Sequence, residues 1–195
     1  MAKFADDCYI MTNRKIQEAL YSIANEYCDQ DEIVYVAIKG AHKEYLLATN
    51  KRIYIYKTGF MTRKTFGYSL FRLEYDAITA VQINRQFGGV GFIEVIGLGM
   101  QNRENLSYWS SNKGNDAAEA DNTLTFGGNI KVYEEAVSLI NKLMTENRYP
   151  SNSINNSTVN KLDKFEELKK YKELLDLNII SQDEFDQKKK EFMGN

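Results

Sequence analysis

The residues of this chain able to carry acid–base, nucleophilic or metal chemistry are few and far apart. Its single histidine, His42, lies between Lys39 and Lys43 in a stretch that reads as a solvated turn, with no acid or nucleophile placed to work with it. Neither Cys8 nor Cys28 has a histidine at a predictable distance, and two cysteines with one histidine do not make a zinc set. Gly88-Gly89-Val90-Gly91 and Gly97-Leu98-Gly99 invite comparison with phosphate-cradling loops. Neither shows the G-x-G-x-x-G spacing or a G-K-[ST] ending ahead of a helix, so both read as turn and strand-bend glycines. Asp183, Glu184 and Asp186 lack the spacing of a calcium loop and fall where a helix would be capped. These positions predict a non-enzymatic protein with no metal and no cofactor.

Charge is the more suggestive feature. Residues 33–70 carry Lys39, Lys43, Lys51, Arg52, Lys57, Arg63 and Lys64 against Glu44 alone, a net +6, while residues 71–147 are net acidic. Lys39, Lys43, Arg63 and Lys64 fall in two turns that an antiparallel sheet would bring to one end, a candidate patch for an anionic head group or ligand. The competing reading makes them turn and edge-strand cations that keep the edges soluble. Trp109, beside Tyr108 in a polar stretch, either anchors a partner or folds back over an open end of the sheet. Tyr35, Tyr45, Tyr54, Tyr56, Phe66, Tyr68 and Phe71 alternate along strands, so most are expected in the core or in cross-strand pairs, a ligand groove being the other reading.

The chain that positions these residues has 195 of them, 43% hydrophobic and 27% charged with one proline, the profile of a globular protein. A net charge of -2 argues against a dedicated nucleic-acid binder. No apolar run approaches the roughly 20 residues of a spanning helix. With no charged-then-apolar leader and no C-x-x-C pair, the cysteines are expected to be reduced thiols of a cytoplasmic protein.

Thr12 or Asn13 caps a first helix on which Ile16, Ala19, Leu20, Ile23 and Tyr27 recur at three- and four-residue spacing. After Asp29-Gln30-Asp31 the period changes to two. Strands are predicted at 33–38, 44–48, 52–57 and 64–70, an antiparallel meander, followed by 78–84 and 92–96 as a hairpin about Gly88–Gly91. Residues 101–122 are polar and read as a long loop or insertion. A seventh strand at 122–126 then leads into a helix with Val132, Ala136, Ile140 and Leu143 on one stripe.

Residues 149–160 hold the only proline among serines and asparagines, a flexible linker. Beyond it, Leu162, Phe165, Leu168, Tyr171, Leu174 and Leu175 share one helix face. Asp176-Leu177-Asn178 breaks that helix, Ile179-Ile180 follow, and Ser181 with Glu184 caps a second helix bearing Phe185 and Phe192. So short a pair of helices buries little apolar surface alone, so docking or self-association is expected to stabilise it.

The run from Lys161 to Leu168, followed by Leu174-Leu175-Asp176-Leu177-Asn178-Ile179-Ile180-Ser181-Gln182-Asp183-Glu184-Phe185, resembles the SHOCT domain, a helical hairpin common at bacterial C-termini. Asn178 stands where that family usually has glycine, and asparagine tolerates the left-handed helix end almost as well. Residues 31 to 147 resemble the bacterial pleckstrin-homology-like proteins of the YokE type. The resemblance is carried by Ile33-Val34-Tyr35-Val36-Ala37-Ile38-Lys39-Gly40, the Leu47–Ile55 hairpin and Tyr75-Asp76-Ala77-Ile78-Thr79-Ala80-Val81. It implies two orthogonal antiparallel sheets closed at one corner by the helix, and no established activity.

The expected architecture is α+β: an N-terminal helix in 1–30, a pleckstrin-homology-like seven-stranded antiparallel barrel or sandwich capped by a helix in 31–148, the linker 149–160, and a SHOCT-like hairpin in 161–195. The expected function is a protein-interaction scaffold without nucleic-acid partners. Phe165, Leu168, Tyr171, Leu175, Ile180, Phe185 and Phe192 form its interface in a homo-oligomer or with another protein. The alternative is a peripheral membrane or anionic-ligand binder acting through the 39–64 basic cluster.

Overall fold

The computed structural model describes residues 2–11, 13–62, 64–100, 105–110 and 114–148, together with Phe185; at Met61, Lys64 and Thr65 it describes the backbone alone. Its contacts divide the chain into two units, Met1–Tyr149 and Pro150–Asn195. Of the second unit only Phe185 is described, a half-buried helical residue. The linker and the other hairpin positions, Phe165, Leu168, Tyr171, Leu175, Ile180 and Phe192, lie outside the described residues.

The first unit is α+β, with strands β1 (Lys3–Ile10), β2 (Ile33–Lys39), β3 (Glu44–Thr49), β4 (Arg52–Gly59), β5 (Lys64–Glu74), β6 (Ile78–Gln86), β7 (Val90–Gly97) and β8 (Thr123–Gly127). Helix α1 (Arg14–Tyr27) follows β1, and α2 (Ile130–Arg148) follows β8. The strands form two sheets, ordered β1-β2-β3-β4-β5 and β6-β7-β8. This corrects the expected strand count, since there are eight strands among the described residues, and of the expected barrel or sandwich it removes the closed barrel, since no ladder joins the two sheets. Ala41 N–H donating to Thr125 C=O at 2.7 Å is a single bridge between the β2–β3 turn and β8.

The added strand is β1, which pairs parallel to β2, so β1–α1–β2 is a crossover unit. Its sequence, Lys3-Phe4-Ala5-Asp6-Asp7-Cys8-Tyr9-Ile10, carries two aspartates and a register shift between Phe4 and Tyr9, so no period-two pattern announces it. The open edge of β2 supplies its partners.

Asn13 caps α1, its side chain accepting from Lys15 N–H and Ile16 N–H at 3.1 and 3.4 Å. Leu20, Ile23 and Ala24 of α1 then bury against Val34, Ala37, Leu47 and Tyr54 on one face of the larger sheet. The opposite face carries Val36, Ile38, Leu46, Ala48, Ile53 and Ile55. These pack with Ile93, Val95, Leu124 and Phe126 of the second sheet and with Tyr133, Ala136, Val137, Ile140, Leu143 and Met144 of α2. Both faces of β2, β3 and β4 are therefore covered, which explains their nearly unbroken apolar runs.

Candidate functional site

The basic residues of 33–70 do not act as one patch, because three of them are neutralised. Lys57 follows Ile53 and Ile55 at period two, so its side chain points into the core, where it is fully buried. Its Nζ lies 2.9 Å from the equally buried Glu44 Oε1 and donates to the carbonyls of Ala118 at 3.0 Å and Ala117 at 3.3 Å and to Thr123 Oγ1 at 3.1 Å. Glu44 Oε2 in turn accepts from Thr125 N–H at 3.0 Å and from the Thr125 hydroxyl. Burial pulls the Lys57 pKa below its ordinary value, with Glu44 opposing that shift.

Arg52 Nε lies 3.2 Å from the buried Glu32, and its Nη2 is 3.5 Å from both Asp29 and Glu74. Lys51 pairs with Asp31. Glu32 also accepts from Tyr54 OH at 2.6 Å, Asp29 N–H at 2.8 Å and Thr49 Oγ1 at 3.1 Å. This network fastens the segment after α1 to the β3–β4 turn, and burial, reinforced by the hydrogen bond to Glu32, holds the Tyr54 phenol protonated far above its usual range.

Among the described side chains of this stretch, Lys39 and Lys43 remain cationic at the surface. Both line a cleft of about 440 Å³ with Ala41, His42, Thr58, Gly59 and Phe60. The β2–β3 turn that carries them is fixed from several sides: Gly40 N–H donates to Glu44 C=O at 2.8 Å, Tyr133 OH to Lys39 C=O at 3.1 Å, and Thr58 N–H to Lys43 C=O at 3.0 Å. Gly40 has no room for a side chain, since a Cβ there would sit 2.6 Å from Thr125 C=O. Lys39 Nζ donates to Gly40 C=O at 2.9 Å, and burial lowers its pKa against the pull of Glu44. Neither lysine is ion-paired among the described residues. Arg63 lies outside the described residues, and Lys64 opens β5 without a described side chain.

His42 is half-buried and not a free turn residue, its ring stacked on Tyr108 at 6.3 Å between centroids. Tyr108 belongs to the segment read as an insertion, which packs on the second sheet: Leu106, Ala117 and Ala120 form a small core with Phe92. Ser107 Oγ and Tyr108 N–H donate to Gln86 Oε1 at 3.3 and 2.9 Å. Trp109 sets its edge against Tyr108 at 5.1 Å and lies beside Gly88, yet stays 65% exposed. The β2–β3 turn, the end of β4, the insertion and the β6–β7 turn thus adjoin one another in a rim that presents Phe60, Phe87 and Trp109 to solvent.

The glycine runs have structural roles. Gly88 and Gly89 take φ of +87° and +72° in the β6–β7 turn, and a Cβ on Gly91 would sit 2.1 Å from Asn84 C=O. Among the described residues no three histidine, cysteine or carboxylate groups come together to hold a metal, and no helix is long and apolar enough to cross a membrane. Cys8 and Cys28 are free thiols.

Sequence reasoning missed the buried charges altogether. Their signal was available in the phase of Lys57 with Ile53 and Ile55, and in the direct pairing of Glu44 with Lys57 once the β3–β4 turn is placed.

No protein-family model matches the chain, and no curated protein matches it significantly. Among solved structures it is similar to the pleckstrin homology domain from Shewanella amazonensis SB2B, at 16% identity over 47% of this chain and 72% of that one, with a TM-score of 0.36.

Proposed function

We propose that this chain is a non-enzymatic interaction protein: a pleckstrin-homology-like binding module of the YokE type, linked to a SHOCT-like hairpin that self-associates or docks. The observation that carries the binding reading is the rim, where Phe60 is 78%, Phe87 94% and Trp109 65% exposed. Large aromatics at the margin of a soluble fold are the groups that most often anchor a protein partner. Strand edges offer a second route, by addition of a partner strand. Joining two modules raises avidity through effective concentration.

A photo-crosslinking residue at position 109 of the full chain should trap a discrete protein in a lysate of the source cell, and Phe60→Ser should abolish the product. Labelling no greater than from position 142, on the exposed side of α2, refutes the rim as a protein site. For the hairpin, replacing Phe185 and Phe192 by alanine should lower the mass seen by light scattering. An unchanged mass removes the assembly reading.

The cleft bearing Lys39 and Lys43 favours a second reading, an anionic ligand or head group at the same rim. Salt-sensitive co-sedimentation with vesicles rich in phosphatidylserine, lost when Lys39, Lys43, Arg63 and Lys64 are changed to glutamate, supports it. The absence of pelleting at low salt rules it out.

A further inference from the structure

Four tyrosines gather on the α1 side of the five-stranded sheet. Tyr45 of β3 and Tyr56 of β4 are direct cross-strand partners, and Tyr68 of β5, paired with Thr58, sits one diagonal step from Tyr56. The β4–β5 ladder is unbroken from Tyr68 to Glu74, so the register fixes the place of Tyr68 in the row. Helix α1 ends over this row at Tyr27. Three of the rings form a triangle, with centroids 5.6 Å apart for Tyr27 and Tyr56, 5.7 Å for Tyr27 and Tyr68, and 5.4 Å for Tyr56 and Tyr68. The other tyrosines with ring neighbours elsewhere meet different partners: Tyr21 packs on Phe4, Tyr108 on His42 and Trp109, and Tyr133 on Phe126. Tyr68 is 55% exposed, whereas Tyr27 and Tyr56 are half-buried.

The two contacts of Tyr68 differ in kind. Tyr56 meets it nearly face to face, at 25° between ring planes, which keeps the ring edges apart. Tyr27 meets it tilted at 50°, and two phenol rings joined through the carbons beside their hydroxyls are twisted in the same way. The hydroxyls of this second pair also adjoin. Desolvation, then hydrogen bonding with Glu26 and with Tyr68, raises the pKa of the Tyr27 phenol. Carbons ortho to two adjoining hydroxyls are themselves neighbours, so little motion separates this pair from a bonding approach.

We propose that Tyr27 and Tyr68 form a site of oxidative modification, in which an oxidant of the haem-peroxidase class, reaching exposed Tyr68, joins the two rings by a carbon–carbon bond between ortho carbons. Each phenol gives up one electron and its hydroxyl proton, the Tyr27 proton leaving toward Glu26 and the Tyr68 proton toward solvent. The two radicals combine at the ortho carbons, and the ring protons at the joined carbons then move to the two oxygens, restoring both phenols. In sum two electrons and two protons pass to one hydrogen peroxide, which leaves as two water molecules. The bond ties the end of the crossover helix to the edge strand and constrains the unfolded chain as a disulfide does. The inference is independent of the binding reading.

The test treats the full chain, dilute, with a haem peroxidase and hydrogen peroxide. The monomer band of a denaturing gel is then read for dityrosine fluorescence and mapped by peptide mass spectrometry. The map should join the peptide bearing Tyr27 to the peptide bearing Tyr68, two hydrogens below their summed mass. Tyr27→Phe and Tyr68→Phe should each lose the fluorescence of the monomer band, and Tyr56→Phe should keep it. The crosslinked monomer should unfold at a higher urea concentration than the untreated chain. Because the map is made on the unsubstituted chain, it decides the matter even where a variant fails to fold. A monomer band without dityrosine, a map that joins any other pair, or fluorescence that persists in Tyr68→Phe overturns the inference. So does a crosslinked monomer that unfolds at a lower urea concentration, since the fold would then have to distort to make the bond.

Discussion

Replacing Lys57 by methionine tests whether the core depends on its buried ion pair. The change keeps most of the side-chain volume and removes the cation ion-paired with Glu44, whose carboxylate then keeps only its hydrogen bonds from Thr125 in a site closed to water. Breaking one partner of a buried pair costs about 3–5 kcal/mol, because the remaining charge is left desolvated and uncompensated. For a chain of this size that corresponds to a fall in Tm of about 6–20 °C. The carbonyl of Ala118 loses its donor and that of Ala117 is left with the Thr123 hydroxyl alone, which loosens the segment bearing Trp109. Trp109 is the only tryptophan, so urea unfolding followed by its fluorescence reads that segment, while far-UV circular dichroism reads the sheets. The double variant Lys57→Met/Glu44→Leu removes both charges and should recover at least about 1 kcal/mol over the single variant, since an apolar replacement of a buried pair is often neutral. A single variant within about 1 kcal/mol of the unsubstituted protein, or a double variant as unstable as the single one, refutes the reasoning.

Backbone packing, the half-buried thiols and two phenols set four further outcomes. Gly91→Ala should destabilise the unit by about 3 kcal/mol or more in the same urea titration, because its Cβ would meet Asn84 C=O at 2.1 Å and the Phe126 ring at 2.7 Å, and a backbone oxygen cannot swing away. Gly89→Ala, with open space but φ of +72°, should lose only about 1–2 kcal/mol. Burial, reinforced by Asp7 at Cys8 and by Glu32 and Asp29 at Cys28, pushes both thiols from 9.0 up to about 12, so at pH 9 they should react with a disulfide reagent far more slowly in the folded protein than in urea. Tyr9 and Tyr133 are raised from 10.0 to about 12 by burial in the same way. All four groups hold their protons more tightly folded than unfolded, so the stability they contribute is complete below pH 9 and is lost as the pH climbs toward 12. A Tm that rises above pH 9 would contradict that sign.

Much of the fold was legible because its signals are local. The seven strands read from period-two patterning are all present, and both helices of the first unit stand where three- and four-residue spacing set them, with Asn13 supplying the first cap. β1 was not legible, since its stability comes from the edge of β2 and from α1 covering the crossover, neither of which marks its own residues. Closure was left open for a related reason. Strand count allows a barrel or a sandwich, because closure depends on whether edges meet, and here the sheets are joined by packing, by a bridge from Ala41 to Thr125 and by the side-chain bonds of Glu44 and Lys57 to Thr125 and Thr123.

The charge pattern marks the deeper boundary between sequence and structure. Seven basic residues against Glu44 described a cationic face when counted along the chain. Only tertiary structure decided that Lys57 is enclosed with Glu44, that Arg52 is held by three carboxylates from two segments, and that Lys39 and Lys43 share a cleft. Sequence by itself determined the periodicities, the first helix cap and the glycine turns, because each depends on neighbours a few residues away. The fate of a charge depends on which distant groups surround it, and the partners of Lys57 at Ala117, Ala118 and Thr123 lie sixty or more positions along the chain.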